Sequence, residues 1–291
     1  MKKLIGAILR KILPLKYYKL VANGFIVVPS YYSNIIKDAE RYYDIALKDD
    51  SDEKAMLLLR KYAHIIDKGL HRTDASPGHS KSIYNLLQAK IDRLTNSPYA
   101  NDPTFIWANE KAKKYRELQS FPKDFVAFHS EKPLPKVSYD ELFSLIKQRR
   151  SNRIFEEKLL SDSVVQQLKA VVNWAANSCN KQPIRLFCTS SPELAKKCLH
   201  CCKGGTGFSD FVPSFWVFTA DVRGYVYPSE IFLPAIDTSL GAQNVFLSAT
   251  TLGLSGTILS WAQKDDDEEG NLRSLLCIPD NYEIIFCAVL G

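Results

Sequence analysis

A short proline-containing segment, EKPLPK at residues 131–136, separates two stretches of the sequence that have different patterns. Before it, apolar residues recur at helical spacing. After it, short runs rich in β-branched and aromatic residues alternate with helical stretches. Two prolines in so short a segment are typical of a linker. The alternation indicates an α/β or α+β sandwich after the linker, and the earlier pattern predicts a helical extension before it.

The extension is predicted to span residues 31–130 and to be helical. Three apolar stripes have the spacing of amphipathic helices, and the turn at Pro77-Gly78 separates the third stripe from the first two. A fourth helix is predicted from Phe105 to Leu118. The stripes consist of Ile35, Ile36, Ala39, Tyr42, Tyr43 and Ala46; of Ala55, Leu58, Leu59, Tyr62, Ile65 and Ile66; and of Ile83, Leu86, Leu87, Ala89, Ile91 and Leu94.

Residues 138–291 are predicted to form the main domain. Ser138 and Glu141 have the capping-box spacing that opens a helix, and another helix is expected around residues 164–176. The other expected elements are strands at Ile184–Thr189, Phe215–Ala220 and Glu283–Leu290, and helices at Pro192–Cys202 and Asp237–Leu252.

The formal net charge of +6 has its source in residues 1–30, which contain six basic and no acidic side chains. Removing these six leaves 32 basic residues against 32 acidic ones, so the net charge does not indicate a nucleic-acid-binding surface on the main body, and we expect no nucleic-acid partner. Residues 1–30 are interpreted as a basic arm, and residues 1–15 have the pattern of an amphipathic helix. That helix either lies peripherally in a membrane interface or packs on its own body or on a dimer mate.

The seven cysteines, all after residue 178, indicate a reducing compartment because their number is odd and their spacing is irregular. No apolar run approaches the roughly 18–20 residues that span a bilayer. Arg10 and Lys11 interrupt the apolar stretch that a signal peptide would need. We therefore expect a cytoplasmic protein, peripheral at the membrane if the arm binds lipid.

Cys198, His200, Cys201 and Cys202 form a cluster that suggests zinc. A tetrahedral site needs ligands that converge from different directions. Four side chains within five residues of one helix point around most of its circumference instead. We therefore expect no metal site.

Three guanidiniums surround Ser151 at the end of the capped helix, in QRRSNRIF at residues 148–155. Arg149, Arg150 and Arg153 repel one another unless an anion lies between them, and arginine binds phosphate through paired donors. The alternative is a solvated helix end whose positive charge complements the helix dipole.

A polar turn, Asn177-Ser178-Cys179-Asn180-Lys181-Gln182, precedes Pro183 and a predicted strand. Side-chain amides offer a donor and an acceptor together, which suits the edge of a heterocycle. The alternative is an ordinary connection between a helix and a strand.

The segment from Asp237 to Trp261 begins with a residue suited to an N-cap and continues as a helix that is apolar on nearly every side. Gly253 and Gly256 follow, and glycine lets the backbone approach a ligand closely. A buried core helix with a glycine C-cap explains the segment almost as well.

Together, in this order and spacing, the three stretches resemble the nitroreductase family. The family pattern is an Arg-x-Ser-x-Arg/Lys helix end, a Ser-x-x-Asn-x-Gln-Pro turn, a late Asp-led helix running into Gly-Leu-Gly/Ser, and a closing strand that ends in Gly. The matching segments are Arg149 to Arg153, Asn177 to Pro183, Asp237 to Ser255, and Ala288 to Gly291. The resemblance covers roughly residues 138–291. It implies an α+β sandwich whose central, mostly antiparallel sheet is flanked by helices.

The resemblance also implies a bound FMN, with NAD(P)H as reductant. Arg149, Ser151 and Arg153 would hold the FMN phosphate and ribityl chain, and Arg149 or Arg150 would reach the pyrimidine edge. Asn180 would face the isoalloxazine ring, with Gln182 near it. Backbone from Gly256 to Ser260 would approach the ring near N5.

Family members are usually homodimers with a flavin in each of two interface clefts, so the resemblance implies a homodimer. Two departures from the family pattern matter. The sequence ends at Gly291, where family members commonly continue into an arm that carries basic residues to the phosphate. The aromatic residue often found after Gln-Pro is Ile184.

The extension loosely resembles that of nitroreductase-like proteins from bacterial polysaccharide-synthesis settings, through His64 to Leu70 and Pro77-Gly78-His79. His64, Lys68, His71 and His79 line a substrate pocket in one interpretation and have surface or capping roles in the other.

Three functions follow from these patterns. The first is an FMN-dependent oxidoreductase that passes electrons to a small-molecule acceptor. The second is flavin-dependent dehydrogenation or reductive elimination on a biosynthetic precursor. The third is a degenerate flavin domain that only binds.

Overall fold

The computed structural model describes residues 28–72, 74–122, 133–261 and 266–291, together with positions 8, 11 and 12. The predicted amphipathic helix at residues 1–15 and most of the basic arm lie outside the described residues. Within the described ranges, no helix combines the length and the apolar character that a membrane span requires.

Helices make up most of the described chain. They are α1 (Val28–Lys48), α2 (Asp52–Leu70), α3 (Lys81–Leu94), α4 (Pro103–Ser120), α5 (Tyr139–Gln148), α6 (Asp162–Ala170), α7 (Pro192–His200), α8 (Leu233–Thr251) and α9 (Asp266–Leu276). Short 3-10 helices lie at Val172–Trp174, Ser178–Asn180, Val222–Gly224 and Pro228–Glu230. The predicted capping box of α5 is confirmed, because Ser138 Oγ accepts from Glu141 N at 3.3 Å and Ser138 N donates to the Glu141 carboxylate at 2.7 Å.

Helices α2, α3 and α4 form a bundle with its own apolar core. Ser51 caps α2 by accepting from Lys54 N, and Asp102 caps α4 by accepting from Thr104 N, so each helix begins where a side chain satisfies its first amides. The core contains Ala55, Leu59, Ile66, Leu87, Ile91 and Leu94 of the predicted stripes, and Phe105 and Leu118 of the predicted fourth helix. Ile36, Tyr43 and Leu86, which were also predicted to lie on apolar stripes, are exposed.

The four-stranded sheet consists of β1 (Ile184–Thr189), β2 (Phe215–Asp221), β3 (Gly256–Leu259) and β4 (Tyr282–Leu290). The strand order is β1-β2-β4-β3, and each neighbouring pair is antiparallel. Strand β2 is buried along its whole length because helices cover both faces. One face packs with α7 and α9, and the other packs with α6 and α8. The predicted α+β sandwich is therefore confirmed.

Two predicted helix bounds were wrong. Helix α8 begins at Leu233, four residues before Asp237, because Pro234 fits the first turn and leaves Asp237 inside the helix. The helix expected over residues 164–176 ends at Ala170 and continues only as a 3-10 turn. The Asn173 amide explains this end, since it donates to Ile184 O at 3.0 Å and accepts from Ile184 N at 3.2 Å.

The extension packs directly against the sheet domain through α1 and α2. Arg223 joins the two parts, with Nη2 2.6 Å from an Asp221 oxygen and Nη1 2.9 Å from an Asp49 oxygen. Burial opposes the charge of Arg223, but the hydrogen bonds to Asp221 and Asp49 raise its pKa. Arg41 of α1 likewise pairs with Glu283 of β4. The domain boundaries assigned from the sequence stay a prediction.

Candidate functional site

The arginine cluster, defined as Arg149, Arg150 and Arg153, lies where α5 ends and the chain passes beside β3. Arg149 is the first residue after α5. Ser151 forms a parallel bridge with Gly256, which brings this segment alongside the edge strand. Arg150 and Arg153 are exposed, and Arg149 is half-buried.

Asn152 fixes the backbone between these arginines. Its side-chain amide donates to Ser255 Oγ at 3.1 Å and to Ile154 O at 2.8 Å. Its backbone N donates to Gly256 O at 3.3 Å, and its carbonyl accepts from Thr257 Oγ1 at 2.6 Å. Sequence reasoning missed this residue, because its partners Ser255, Gly256 and Thr257 lie more than 100 positions further along the chain.

The arginine cluster carries unbalanced positive charge. Arg150 donates to the backbone carbonyls of Lys147 and Arg149. Within the described ranges, none of the three guanidiniums forms an ion pair with a carboxylate. A group of three cations without acids attracts an anion, and guanidinium groups suit phosphate or carboxylate geometry. A cavity of about 560 Å³ opens beside the cluster, between Asn152–Val164 and Leu252–Ser255.

The polar turn, residues 177–182, has an unusual backbone. Cys179, Asn180 and Gln182 have φ values of 53°, 52° and 52°. Each non-glycine residue in this left-handed region costs about 1–2 kcal/mol, so the surrounding structure must hold the turn in place.

Asp237 provides part of that support. Its Oδ1 accepts from both Ser178 N and Ser178 Oγ at 2.9 Å, and its Oδ2 accepts from Tyr225 OH at 2.7 Å. Only 2% of Asp237 is exposed. Burial and the charge of Asp237 raise the pKa of Tyr225, so its hydroxyl remains a donor. The sequence pointed to Asp237 as a helix cap, whereas the structure uses it to anchor the polar turn.

Lys181 anchors the turn on its other side and is fully buried. Its Nζ lies 2.7 Å from Glu230 Oε1 and 4.3 Å from the Tyr225 ring centroid. Lys61 of α2 reaches the same Glu230 oxygen at 3.7 Å. Burial lowers the pKa of Lys181, and Glu230 opposes that shift. The two lysines and Glu230 thus connect the extension to the polar turn.

Asn180 and Gln182 are half-buried and have unused hydrogen-bonding capacity. Gln182 Nε2 donates to Asn180 Oδ1 at 3.4 Å. In the part of the chain that the structure describes, Asn180 Nδ2 and Gln182 Oε1 have no hydrogen-bond partner. These amide atoms are available to a ligand.

The two glycines after α8 have structural explanations. Gly253 has a φ of +75° and ends the helix. A Cβ on Gly256 would lie 2.1 Å from Val289 O, so the missing side chain allows β4 to approach β3. The sequence suggested that the backbone at Gly256 lies close to a ligand. In the structure it lies close to strand β4. Ser260, just after β3, is exposed.

One chain does not bring all the predicted site residues together. The polar turn binds Asp237 near the start of α8, and the arginine cluster lies beside Ser255 and Gly256, beyond its end. The 14 residue steps from Asp237 to the end of α8 at Thr251 alone span about 21 Å at a rise of 1.5 Å per residue. The polar turn precedes β1 and the arginine cluster contacts β3, which are opposite edges of the sheet.

The residues proposed for a pocket in the extension form structural contacts. His71 Nδ1 lies 2.8 Å from Asp67 O. The carbonyl of His79 accepts from Tyr115 OH at 2.6 Å, and its ring packs against Gly69. Burial, followed by the charge of Lys68, lowers the pKa of His64. These contacts fasten the end of α2 to the loop before α3, and they support the capping interpretation.

The cysteines of α7 face the sheet. Cys198 and Cys202 are buried in the core that also contains Cys287, whereas His200 is exposed. Burial raises the pKa of Cys198 to about 12. Cys198 therefore packs as a small apolar group at neutral pH.

Residues 146–206 match the model of the nitroreductase family. This range contains both the arginine cluster and the polar turn. An Archaeoglobus fulgidus protein named "Putative NADH dehydrogenase/NAD(P)H nitroreductase" is 25% identical over 152 residues, which are 52% of this chain and 85% of that protein.

Two solved structures are also similar to part of this chain. An FMN-dependent nitroreductase from Clostridium difficile R20291 is 21% identical, with a TM-score of 0.45, over 51% of this chain and 86% of its own. A nitroreductase family protein from Clostridium novyi NT is 21% identical, with a TM-score of 0.45, over 52% of this chain and 84% of its own. The sequence motifs and the family match agree over residues 146–206, and this part of the chain is similar to the nitroreductase family.

Proposed function

We propose that this protein is an FMN-dependent oxidoreductase that passes electrons from NAD(P)H to a small-molecule acceptor. The observation that carries the proposal is the arginine cluster, three guanidiniums without carboxylate partners within the described chain, inside the segment that is similar to the nitroreductase family. Such a cluster suits the dianionic phosphate of FMN.

The other donors and acceptors fit the rest of FMN. Ser151 is exposed between the arginines and offers a hydroxyl to the ribityl chain. Asn180 Nδ2 and Gln182 Oε1 offer a donor and an acceptor to the polar edge of the ring. Bound FMN would supply the hydride chemistry, and the protein would supply orientation and charge.

A homodimer explains how the two groups could serve one flavin. The length of α8 from Asp237 to Thr251, about 21 Å, separates the polar turn from the arginine cluster of one chain. A two-fold partner would place its turn against the first chain's cluster. Helix α5 contains no buried residue, although its apolar side is large. The exposed apolar side chains of α5 and α8 include Tyr139, Leu142, Phe143, Ile146, Phe232, Ile236 and Leu240.

The nicotinamide reductant is proposed from the name of the Archaeoglobus relative. Anaerobic addition of NADH or NADPH should bleach the flavin absorbance of the purified protein. Bleaching by dithionite but by neither nucleotide would contradict this part of the proposal.

The test of FMN binding is the double variant Arg149→Ala/Arg153→Ala. Each charge-assisted contact contributes about 1.5–3 kcal/mol, so the variant should be purified without yellow colour. Arg116→Ala, an exposed arginine of α4 that donates to Tyr84, is the matched control and should retain FMN. A fully yellow double variant would show that the phosphate assignment is wrong.

The contact between the extension and the polar turn favours a second function, which is flavin chemistry on one specific biosynthetic precursor. Lys61 of α2 shares Glu230 with Lys181 of that turn. A substrate that enters beside the turn would therefore meet the extension. Turnover with simple acceptors much slower than flavin reduction would favour this function.

A further inference from the structure

Arg60 of α2 is a buried cation that forms no ion pair with the described residues. Only 8% of the residue is exposed, and its Nε is buried without a hydrogen bond. In the described part of the chain, no carboxylate forms an ion pair with it. Burying a guanidinium in this way is unfavourable unless something binds it.

A second arginine approaches Arg60 from the sheet domain. Arg185 of β1 is exposed and donates to Ile184 O at 3.0 Å, so its side chain bends back toward the polar turn. Burial and then the positive charge of Arg185 lower the pKa of Arg60. Helix α2, which carries Arg60, packs against the 3-10 turn at Ser178–Asn180. Arg185 bends back toward the end of the same polar turn, so the two guanidiniums flank that turn where α2 meets the sheet domain.

The neighbouring acids are engaged elsewhere. Asp102 accepts from Thr104 N at 2.7 Å as the cap of α4. Glu53 accepts from Tyr99 OH at 3.3 Å. Neither carboxylate bridges the two arginines, whereas a ligand anion between them would satisfy Arg60 and reduce the repulsion.

We propose that Arg60 and Arg185 form a binding site for a carboxylate or phosphate group of the electron acceptor. Arg185 follows Gln182 by three residues and its Nη1 lies 3.5 Å from Gln182 O, so the site adjoins the polar turn. The identity of the ligand as an acceptor rests on the proposed function, but the anion site itself does not. The phosphate groups of NADPH are anions of the same kind. The kinetic experiment distinguishes whether the bound anion belongs to the acceptor or to NADPH.

The binding experiment uses inorganic phosphate with the FMN-loaded protein, so that the arginine cluster is occupied. Phosphate, compared with chloride at equal ionic strength, should raise the melting temperature of the wild type but not of Arg185→Gln or Arg60→Met. Arg116→Gln should respond like the wild type. An equal phosphate response in the wild type and both site variants would overturn the site.

The melting temperature without phosphate provides an independent test of the role of Arg60. Because Arg60 is buried and forms no ion pair with the described residues, Arg60→Met should melt at a higher temperature than the wild type. A lower melting temperature would show that Arg60 supports the fold and would overturn its role as a ligand-binding residue. If the purified protein holds no FMN, the wild type and each variant are compared in the FMN-free form. The arginine cluster is the same in the wild type and in the variants, so its own binding of phosphate does not change the comparison.

The kinetic experiment compares 4-nitrobenzoate with neutral 4-nitrobenzamide as acceptors. In Arg185→Gln the KM for 4-nitrobenzoate should rise about tenfold, whereas the KM values for 4-nitrobenzamide and NADPH should stay within about twofold of the wild type. A rise for NADPH alone would assign the anion to the reductant and overturn the acceptor assignment. If neither acceptor is reduced, the proposed function fails, and the phosphate experiment still decides whether the anion site exists.

Discussion

Ser178 donates two hydrogen bonds, from its backbone N and its Oγ, to a single carboxylate oxygen of Asp237, each at 2.9 Å. The second oxygen of Asp237 accepts from Tyr225 OH at 2.7 Å. This contact fixes the polar turn to α8, and the turn contains the left-handed residues Cys179, Asn180 and Gln182. Lys181 anchors the other side of the turn, but the Ser178 side depends on the buried carboxylate of Asp237.

We therefore expect Asp237→Ala to destabilise the protein by at least about 2 kcal/mol, because it leaves the Ser178 and Tyr225 donors buried without a partner. Chemical denaturation measures the change in the free energy of unfolding. Asp280→Ala, on an exposed loop, is the control and should change it by less than about 0.5 kcal/mol. Equal stability of the two variants would mean that the Asp237 contacts do not hold the turn.

Local patterns predicted the motifs and most of the elements, but they missed strand β3 and the partners of the site residues. The capping box at Ser138 and Glu141 depends on residues three apart, and the structure confirms it. The burial of Lys181 depends on Glu230, which is 49 positions away and itself shared with Lys61. Nothing near Lys181 in the sequence distinguishes it from a solvated lysine.

The same limit applies to Asp237 and Asn152. An aspartate before an apolar helical run has the pattern of an N-cap, and only Pro234 signals the earlier start of α8. The role of Asn152 depends on Ser255, 103 positions away. Motif residues could be found from the sequence, whereas the side chains that position them required the tertiary structure.

The buried thiols give a prediction about pH. Burial raises the pKa of Cys198 from 9.0 to about 12, while Cys277 is exposed. At pH 8, Cys198 should therefore have about a thousandfold less thiolate than an ordinary cysteine. Mass spectrometry after iodoacetamide treatment of the native protein should find Cys277 modified and Cys198 unmodified.

The same shift has a consequence for stability. A thiol whose pKa is raised by folding contributes stability below pH 9, and this contribution is lost as the pH rises toward 12. Cys198→Ala should accordingly lose less stability than the wild type between pH 9 and 11. Modification of Cys198 at the rate of Cys277 in folded protein would contradict both expectations.

The proposed homodimer predicts the effect of a charge on α8. Ile236 is 51% exposed on the apolar face of this helix, so Ile236→Glu should place a charge in the interface, halve the mass in solution and weaken FMN binding. Light scattering after size exclusion at micromolar concentration measures the mass. Ile106→Glu is the control, since Ile106 is 49% exposed on α4 of the extension and should leave the mass unchanged. A wild type that is monomeric with flavin bound would exclude the dimer.

The last prediction concerns which cations hold the flavin phosphate. The extension offers Lys68 and Arg72, but Arg72 already forms two hydrogen bonds to Asp74, at 2.7 and 2.6 Å. Arg150 donates only to backbone carbonyls and forms no ion pair within the described chain, so its charge is available to an anion.

Arg150→Ala should therefore weaken FMN binding about tenfold or more, because it removes a charge-assisted contact. Lys68→Ala and Arg72→Ala should leave the FMN dissociation constant within about twofold of the wild type. Quenching of flavin fluorescence on titration of the apoprotein measures all three constants. If the two extension variants lose FMN while Arg150→Ala binds it normally, the phosphate is held by the extension and the arginine cluster has another role.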